Sequence, residues 1–182
     1  RSIVAAGCRA LEEGYTRYTP NAGYLNLREA IAETALPALG YNPDTEIIVT
    51  LGAMEALSLL FNTILELGDE VIIPEPAWVN YGSMIAYRGG VPVLVGCRME
   101  HDFRVRVEAL EAAISPKSKA LLLTNPSNPT GAFLTREDLE EIAAFAIRHD
   151  LLVISDEIYA KLLYDGLSAT SIAELPGMRE RT

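Results

Sequence analysis

The sequence predicts an α/β protein, a three-layer sandwich around a mostly parallel sheet. Three observations carry this reading. Five short apolar runs, at 46–50, 70–73, 91–95, 120–123 and 151–155, are β-branched or leucine-rich and do not alternate with polar residues. Such runs fit strands covered on both faces, as in parallel sheets. Segments with helical spacing lie between them, and strands alternating with helices imply right-handed crossovers. Finally, 182 residues with 49% apolar content are enough to bury a core without disulfides or a metal.

Taken in order, residues 2–14 begin with a helical pattern carrying Ile3, Val4 and Leu11, and reach Gly14. The run 46–50 is the first expected strand. Residues 53–66 place Ala56, Leu57, Leu60, Phe61 and Ile64 on one helical face. After the strand at 70–73 comes a weaker helix at 81–87, ended by Gly89-Gly90 ahead of the strand at 91–95. A short helix at 107–114 is closed by Ser115-Pro116, because proline cannot continue it. The strand at 120–123 precedes a helix at 135–149. That helix opens with Thr135 and Asp138 in capping-box spacing and sets Leu139, Ile142, Ala143 and Ala146 on one face. The run at 151–155 is the last expected strand. No internal repeat or low-complexity linker interrupts the pattern.

Fifteen basic and twenty-five acidic residues give a formal charge of −10. That balance speaks against nucleic-acid binding, which needs a basic stripe, and the apolar content speaks against disorder. No stretch approaches the roughly 18 apolar residues of a membrane span. No basic start leads into an apolar signal region, so a cytoplasmic protein is expected. Cys8 and Cys97 show no framework spacing and read as reduced thiols, while His101 and His149 lack the spacing of metal ligands, so no metal is expected. The chain opens on Arg1 and stops at Thr182 just after a short charged run, which reads as an internal piece of a longer chain.

Open parallel sheets bind ligands beyond the carboxyl ends of their strands. After the first expected strand, Leu51-Gly52-Ala53-Met54 turns directly into a helix, whose free amides and positive dipole end suit a phosphate. A glycine before a helix also serves as a plain tight turn. The second strand leads into Pro74-Glu75-Pro76-Ala77-Trp78, with the only tryptophan of the chain in a proline-stiffened loop. That ring could stack on a planar cofactor or simply pack at the domain edge. The fourth strand is followed by 124–131, in which two Asn-Pro steps and Thr130-Gly131 specify a rigid loop. Asp156 ends the last strand, half-buried and in need of a cationic partner, with Tyr159 three residues on. Phosphate cradle, stacking ring, fixed amide, carboxylate and phenol together describe a site for a phosphorylated, aromatic, cationic heterocycle. Pyridoxal 5'-phosphate is such a molecule.

Asn128-Pro129-Thr130-Gly131 and Asp156-Glu157-Ile158-Tyr159, 28 residues apart around one helix and one strand, resemble in combination the class I/II aminotransferases of pyridoxal-phosphate fold type I. The resemblance covers essentially the whole chain and is strongest to aspartate and aromatic aminotransferases. It implies that residues 1–182 are part of the large, cofactor-binding domain, with the small domain outside this chain. It further implies that the amides of Ala53 and Met54 hold the cofactor phosphate and that Trp78 stacks on the pyridine ring. Asn128 and Tyr159 would donate to its phenolic oxygen, and Asp156 would keep its ring nitrogen protonated. Residues 15–30 are similar to the family's Tyr-x-x-x-x-Gly-x-x-x-Leu-Arg element, so Tyr18 would reach the cofactor phosphate of a partner subunit in a homodimer.

The lysine that would carry the cofactor as a Schiff base is expected beyond Thr182, so no catalytic residue is assigned in this chain, and the piece alone should not turn over. Lys117 and Lys119 precede a strand, and Lys161 reads as a solvated helix residue. The resemblance implies transfer of an amino group from an α-amino acid to a 2-oxo acid. Two alternatives stand beside it: another enzyme of the same fold, such as a carbon–sulfur lyase or decarboxylase, and a non-catalytic effector-binding domain of a regulator.

Overall fold

A computed structural model describes residues 1–35 and 37–182. The chain divides into two compact units, Arg1–Thr50 and Leu51–Thr182.

The larger unit is built on four parallel strands, β1 (Glu70–Glu75), β2 (Val91–Gly96), β3 (Ser118–Thr124) and β4 (Leu152–Asp156), in the spatial order β2-β1-β3-β4. Its sequence also forms α3 (Ala53–Ile64), α4 (Asn80–Tyr87), α5 (Val107–Ala113) and α6 (Arg136–Arg148), numbered after the two helices of the smaller unit. Helices α4, α5 and α6 each connect one strand to the next. Because side chains alternate along a strand, β1 and β3 feed two separate cores. Ile72, Leu121 and Leu123 join Leu110, Leu139, Ile142 and Phe145 on the α5/α6 face. Val71, Ile73, Ala120 and Leu122 join Leu57, Phe61, Tyr81 and Ile85 on the α3/α4 face. This is the expected three-layer sandwich, and the unbroken apolar runs of β1 and β3 follow from burial on both faces. The strand order reverses at β1, where the chain first adds β2 on one side and then β3 on the other. A crevice at the carboxyl ends of the strands is expected at such a switch point.

Helix α6 starts as its spacing predicts. The Thr135 hydroxyl accepts from the Asp138 amide at 3.3 Å, and Asp138 accepts from the Thr135 amide at 2.9 Å. Asp138 also accepts from Arg104 at 2.8 Å, tying the helix start to the segment before α5.

The smaller unit contains α1 (Ser2–Glu12), α2 (Leu25–Thr34) and a 3₁₀ turn at Pro37–Leu39. Arg28 is its buried centre: its guanidinium donates to the carbonyls of Gly23 and Pro43 and faces Asp44. Gly23 has φ of +90°, and a Cβ there would sit 2.7 Å from Val49 Cβ, so this position requires glycine.

Two expectations are corrected. Residues 46–50 are not a strand. The run holds the expected apolar residues, but a strand needs a ladder of partners. The Val49 amide donates to the Ala22 carbonyl at 3.0 Å, yet no ladder forms around that bond. The sheet therefore has four strands among the described residues. Lys161 is exposed, as expected, but lies in a turn: the bonds of Ala160 to Glu157 and Leu162 to Tyr159 span three residues and do not continue into a helix.

Candidate cofactor site

A cavity of about 300 Å³ opens at the carboxyl edge of the sheet. Leu51, Gly52, Ala53 and Met54 line it from the start of α3, Trp78 from the loop after β1, and Tyr81 from α4. Thr124 and Asn128 come from the end of β3 and its loop, and Asp156, Ile158 and Tyr159 from the end of β4. Six of the seven residues singled out in the sequence, Ala53, Met54, Trp78, Asn128, Asp156 and Tyr159, are thus brought together. The seventh, Tyr18, lies in the smaller unit with its side chain fully exposed.

Each wall has a local cause. Gly52 is the N-cap of α3 with φ of +80°, a left-handed conformation that glycine adopts without strain. Glu55 reaches back to the Leu51 amide at 2.5 Å and fixes the turn. The amides of Ala53 and Met54 belong to the first turn of α3, where a helix supplies no acceptor of its own. An anion is the fitting partner for that end.

The loop after β3 is pinned by its first asparagine. Asn125 is buried, accepts from the Leu134 amide at 2.9 Å, donates to the Leu134 carbonyl at 3.4 Å, and donates its own amide to the Asp156 carbonyl at 3.1 Å. This leaves the second asparagine, Asn128, to the cavity, where its amide donates to the Tyr159 hydroxyl at 3.3 Å. Two polar groups that suit one ligand oxygen are therefore already neighbours.

Asp156 is the single formal charge among the described residues lining the cavity. Its Oδ1 accepts from the Ile158 amide at 3.2 Å and its Oδ2 from the Tyr81 hydroxyl at 2.7 Å. Burial first, and then the bond to Asp156, push the Tyr81 phenol well above its ordinary range, so it remains a protonated donor. Trp78 stands edge-on to Tyr81, with centroids 5.2 Å apart.

Sequence reasoning finds the helix that carries Tyr81 but not its place in the site. The available signal is its spacing: three residues after Trp78, at the start of a helix, it shares the tryptophan's side. In sequence Thr124 reads only as part of a loop, although as the register partner of Asp156 it occupies the same sheet edge.

The donor set fits a pyridoxal-phosphate molecule. A helix N-terminus faces where an anion would lie, an indole borders the space for a flat ring, an amide and a phenol converge, and one carboxylate can pair with a cationic nitrogen. Fold and cavity together define a parallel α/β protein of the pyridoxal-phosphate type. The comparisons sharpen this. The family model for aminotransferase class I and II matches residues 1–181, and the chain belongs to that family, whose members use pyridoxal phosphate. It is 46% identical to the aromatic-amino-acid aminotransferase 2 of Thermococcus litoralis, over 95% of this chain and 45% of that protein. To the aspartate aminotransferase of Bacillus sp. (strain YM-2) it is 45% identical, over 96% of this chain and 45% of that protein. Among solved structures, the aromatic aminotransferase from Pyrococcus horikoshii OT3 matches with a TM-score of 0.95 and 46% identity, covering 99% of this chain and 48% of the other. The chain thus spans a little under half the length of the curated relatives it matches.

Proposed function

We propose that the complete protein is a cytoplasmic, homodimeric aminotransferase that moves an amino group from an α-amino acid to a 2-oxo acid with pyridoxal 5'-phosphate. The observation that carries this reading is the convergence of Ala53, Met54, Trp78, Asn128, Asp156 and Tyr159, from four separate segments, on one cavity. Names of relatives at 43 to 48% identity support the same reaction class. Among the described residues no helix is long and apolar enough to cross a membrane.

In this proposal the amides of Ala53 and Met54 bind the phosphate, and Trp78 covers the ring. Asn128 and Tyr159 would donate to the phenolic oxygen and so help to hold the ring. Asp156 keeps the proton on the ring nitrogen, because an anion held next to that nitrogen favours its charged form. When bound, the cofactor supplies an electron sink for the pair left behind as the substrate's α-proton departs. None of the chain's three lysines, Lys117, Lys119 and Lys161, lines the cavity. The proton-carrying lysine is assigned, by family resemblance, to the part of the relatives' length that this chain does not span. Tyr18 is assigned to the cofactor phosphate of the partner subunit.

The test is Asp156→Ala in the complete protein, with amino transfer followed by the 2-oxo acid produced from each of several amino acids. Loss of a pyridinium counter-ion should remove most of the activity, at least about a hundredfold on the scale of one strong charge-assisted contact. Unchanged turnover would overturn the site assignment. Release of ammonia and pyruvate without a new amino acid would replace the transferase with a lyase.

A further inference from the structure

The cavity wall contains a hydrogen-bonded chain of three side chains. Thr124 ends β3 and Asp156 ends β4, and the two are register partners, so their side chains leave the sheet on the same face. Tyr81, in the first turn of α4, meets both. Its hydroxyl donates to Asp156 Oδ2 at 2.7 Å and lies 2.8 Å from Thr124 Oγ1. A phenol has one proton, and a carboxylate only accepts. The proton therefore goes to Asp156, and the Thr124 hydroxyl donates to the phenol oxygen. Three residues from three elements form one directed chain, Thr124 to Tyr81 to Asp156.

The middle link has little freedom. Tyr81 is 1% exposed, packs in the core with Phe61 and Ile85, and meets the Trp78 ring edge-on. The Ile158 amide holds Oδ1 of this carboxylate and the Tyr81 hydroxyl holds Oδ2, and a carboxylate lacking the second contact would have more rotamer freedom for a ligand to remove on binding.

We infer that Tyr81 is a positioning residue: with Thr124 behind it, it holds the Asp156 carboxylate ready for the cationic ring nitrogen of the cofactor. The inference rests on the assignment of Asp156 to that nitrogen.

A double-mutant cycle in the complete protein tests it. Tyr81→Phe keeps the ring and its packing and removes only the hydroxyl. The cofactor-free forms of the unaltered protein, Tyr81→Phe, Asp156→Asn and the double variant are titrated with pyridoxal phosphate by equilibrium dialysis, and each is melted without cofactor. Tyr81→Phe should weaken binding about tenfold when Asp156 is intact, in the range of a hydrogen bond to a charged group. The Asp156→Asn background lacks the charge, so there the same change should cost less than about twofold. The cofactor-free melting point should move by no more than about 2 °C. Equal loss in both backgrounds, or no loss with Asp156 intact, would overturn the inference while leaving the site reading intact. Failure of the unaltered protein to bind pyridoxal phosphate would overturn both. Should Tyr81→Phe not fold, Thr124→Val replaces it in the cycle, with an expected loss of about threefold with Asp156 intact and none in the Asp156→Asn background.

Discussion

Helices α1 and α6 are similar in length, 11 and 13 residues, and both carry an apolar face, yet they end in opposite states. Six residues of α6 are buried, among them Leu139, Ile142 and Phe145, while α1 buries none and leaves Ile3, Val4 and Leu11 exposed. The contrast extends to the units that contain them. In Leu51–Thr182 a sheet with two apolar faces gives each of the four α-helices a partner. Among the described residues of Arg1–Thr50 the buried centre is a hydrogen-bonded arginine, Arg28, rather than an apolar cluster. Helical periodicity encodes a face that can be buried, and it says nothing about what buries it.

Substitutions in the two units should therefore differ widely in their effect on stability. The largest stability effect is expected at the centre of the α6 face. Phe145 is fully buried, and Phe145→Ala should cost about 3–5 kcal/mol in chemical denaturation of the complete protein. A loss below about 1 kcal/mol would mean that the sheet and α6 are not one cooperative core. A middle effect is expected at the start of the same helix. Burial works against the Asp138 carboxylate, but the Thr135 backbone amide, Arg104 and the Thr135 hydroxyl outweigh it and hold its pKa below the usual range. A lowered folded-state pKa adds stability that is complete above the ordinary carboxylate range and is lost as pH falls through the lowered value. Asp138→Asn should therefore cost about 1–2 kcal/mol near neutral pH, and the gap to the unaltered protein should close in acid. A gap that does not depend on pH would remove the charge from the explanation. The smallest effect is expected in the other unit, where Leu11→Ala, at a side chain 65% exposed, should change stability by less than about 0.5 kcal/mol. A loss above about 1 kcal/mol would show that another part of the complete protein, or a second copy, covers the α1 face.

The comparison also explains what is legible in the sequence. Helices α3 to α6 and strands β1 to β4 fall within a few residues of their expected places, because in that unit local pattern and tertiary partner agree. Residues 46–50 have the same β-branched character as β1, yet they form no strand, since a strand is a property of a pair. Helix α2 stands out in sequence for its tyrosine–glycine–arginine motif and not as a helix. Its weak apolar periodicity agrees with Arg28 being its one buried residue. At the site, Asn128, Asp156, Tyr159 and Trp78 stand out because each is an unusual residue at the end of an apolar run. Tyr81 and Thr124 do not, because a tyrosine in a helix and a threonine ending a strand are ordinary in sequence. Similarly, two Asn-Pro steps in one loop read alike, while the structure divides their labour: Asn125 clamps the loop and Asn128 faces the cavity.

The layers of the larger unit, the start of α6 and the residue types gathered at the strand ends are all written in local sequence. These depend on side-chain periodicity, caps and turn chemistry, all of which act within a few residues. That Thr124 and Asp156 are neighbours, that Tyr81 bridges them, and that the strands lie in the order β2-β1-β3-β4 follows from long-range packing. Those outcomes join residues 32 to 75 positions apart, and such contacts are selected by how whole faces pack rather than by any local preference of the chain.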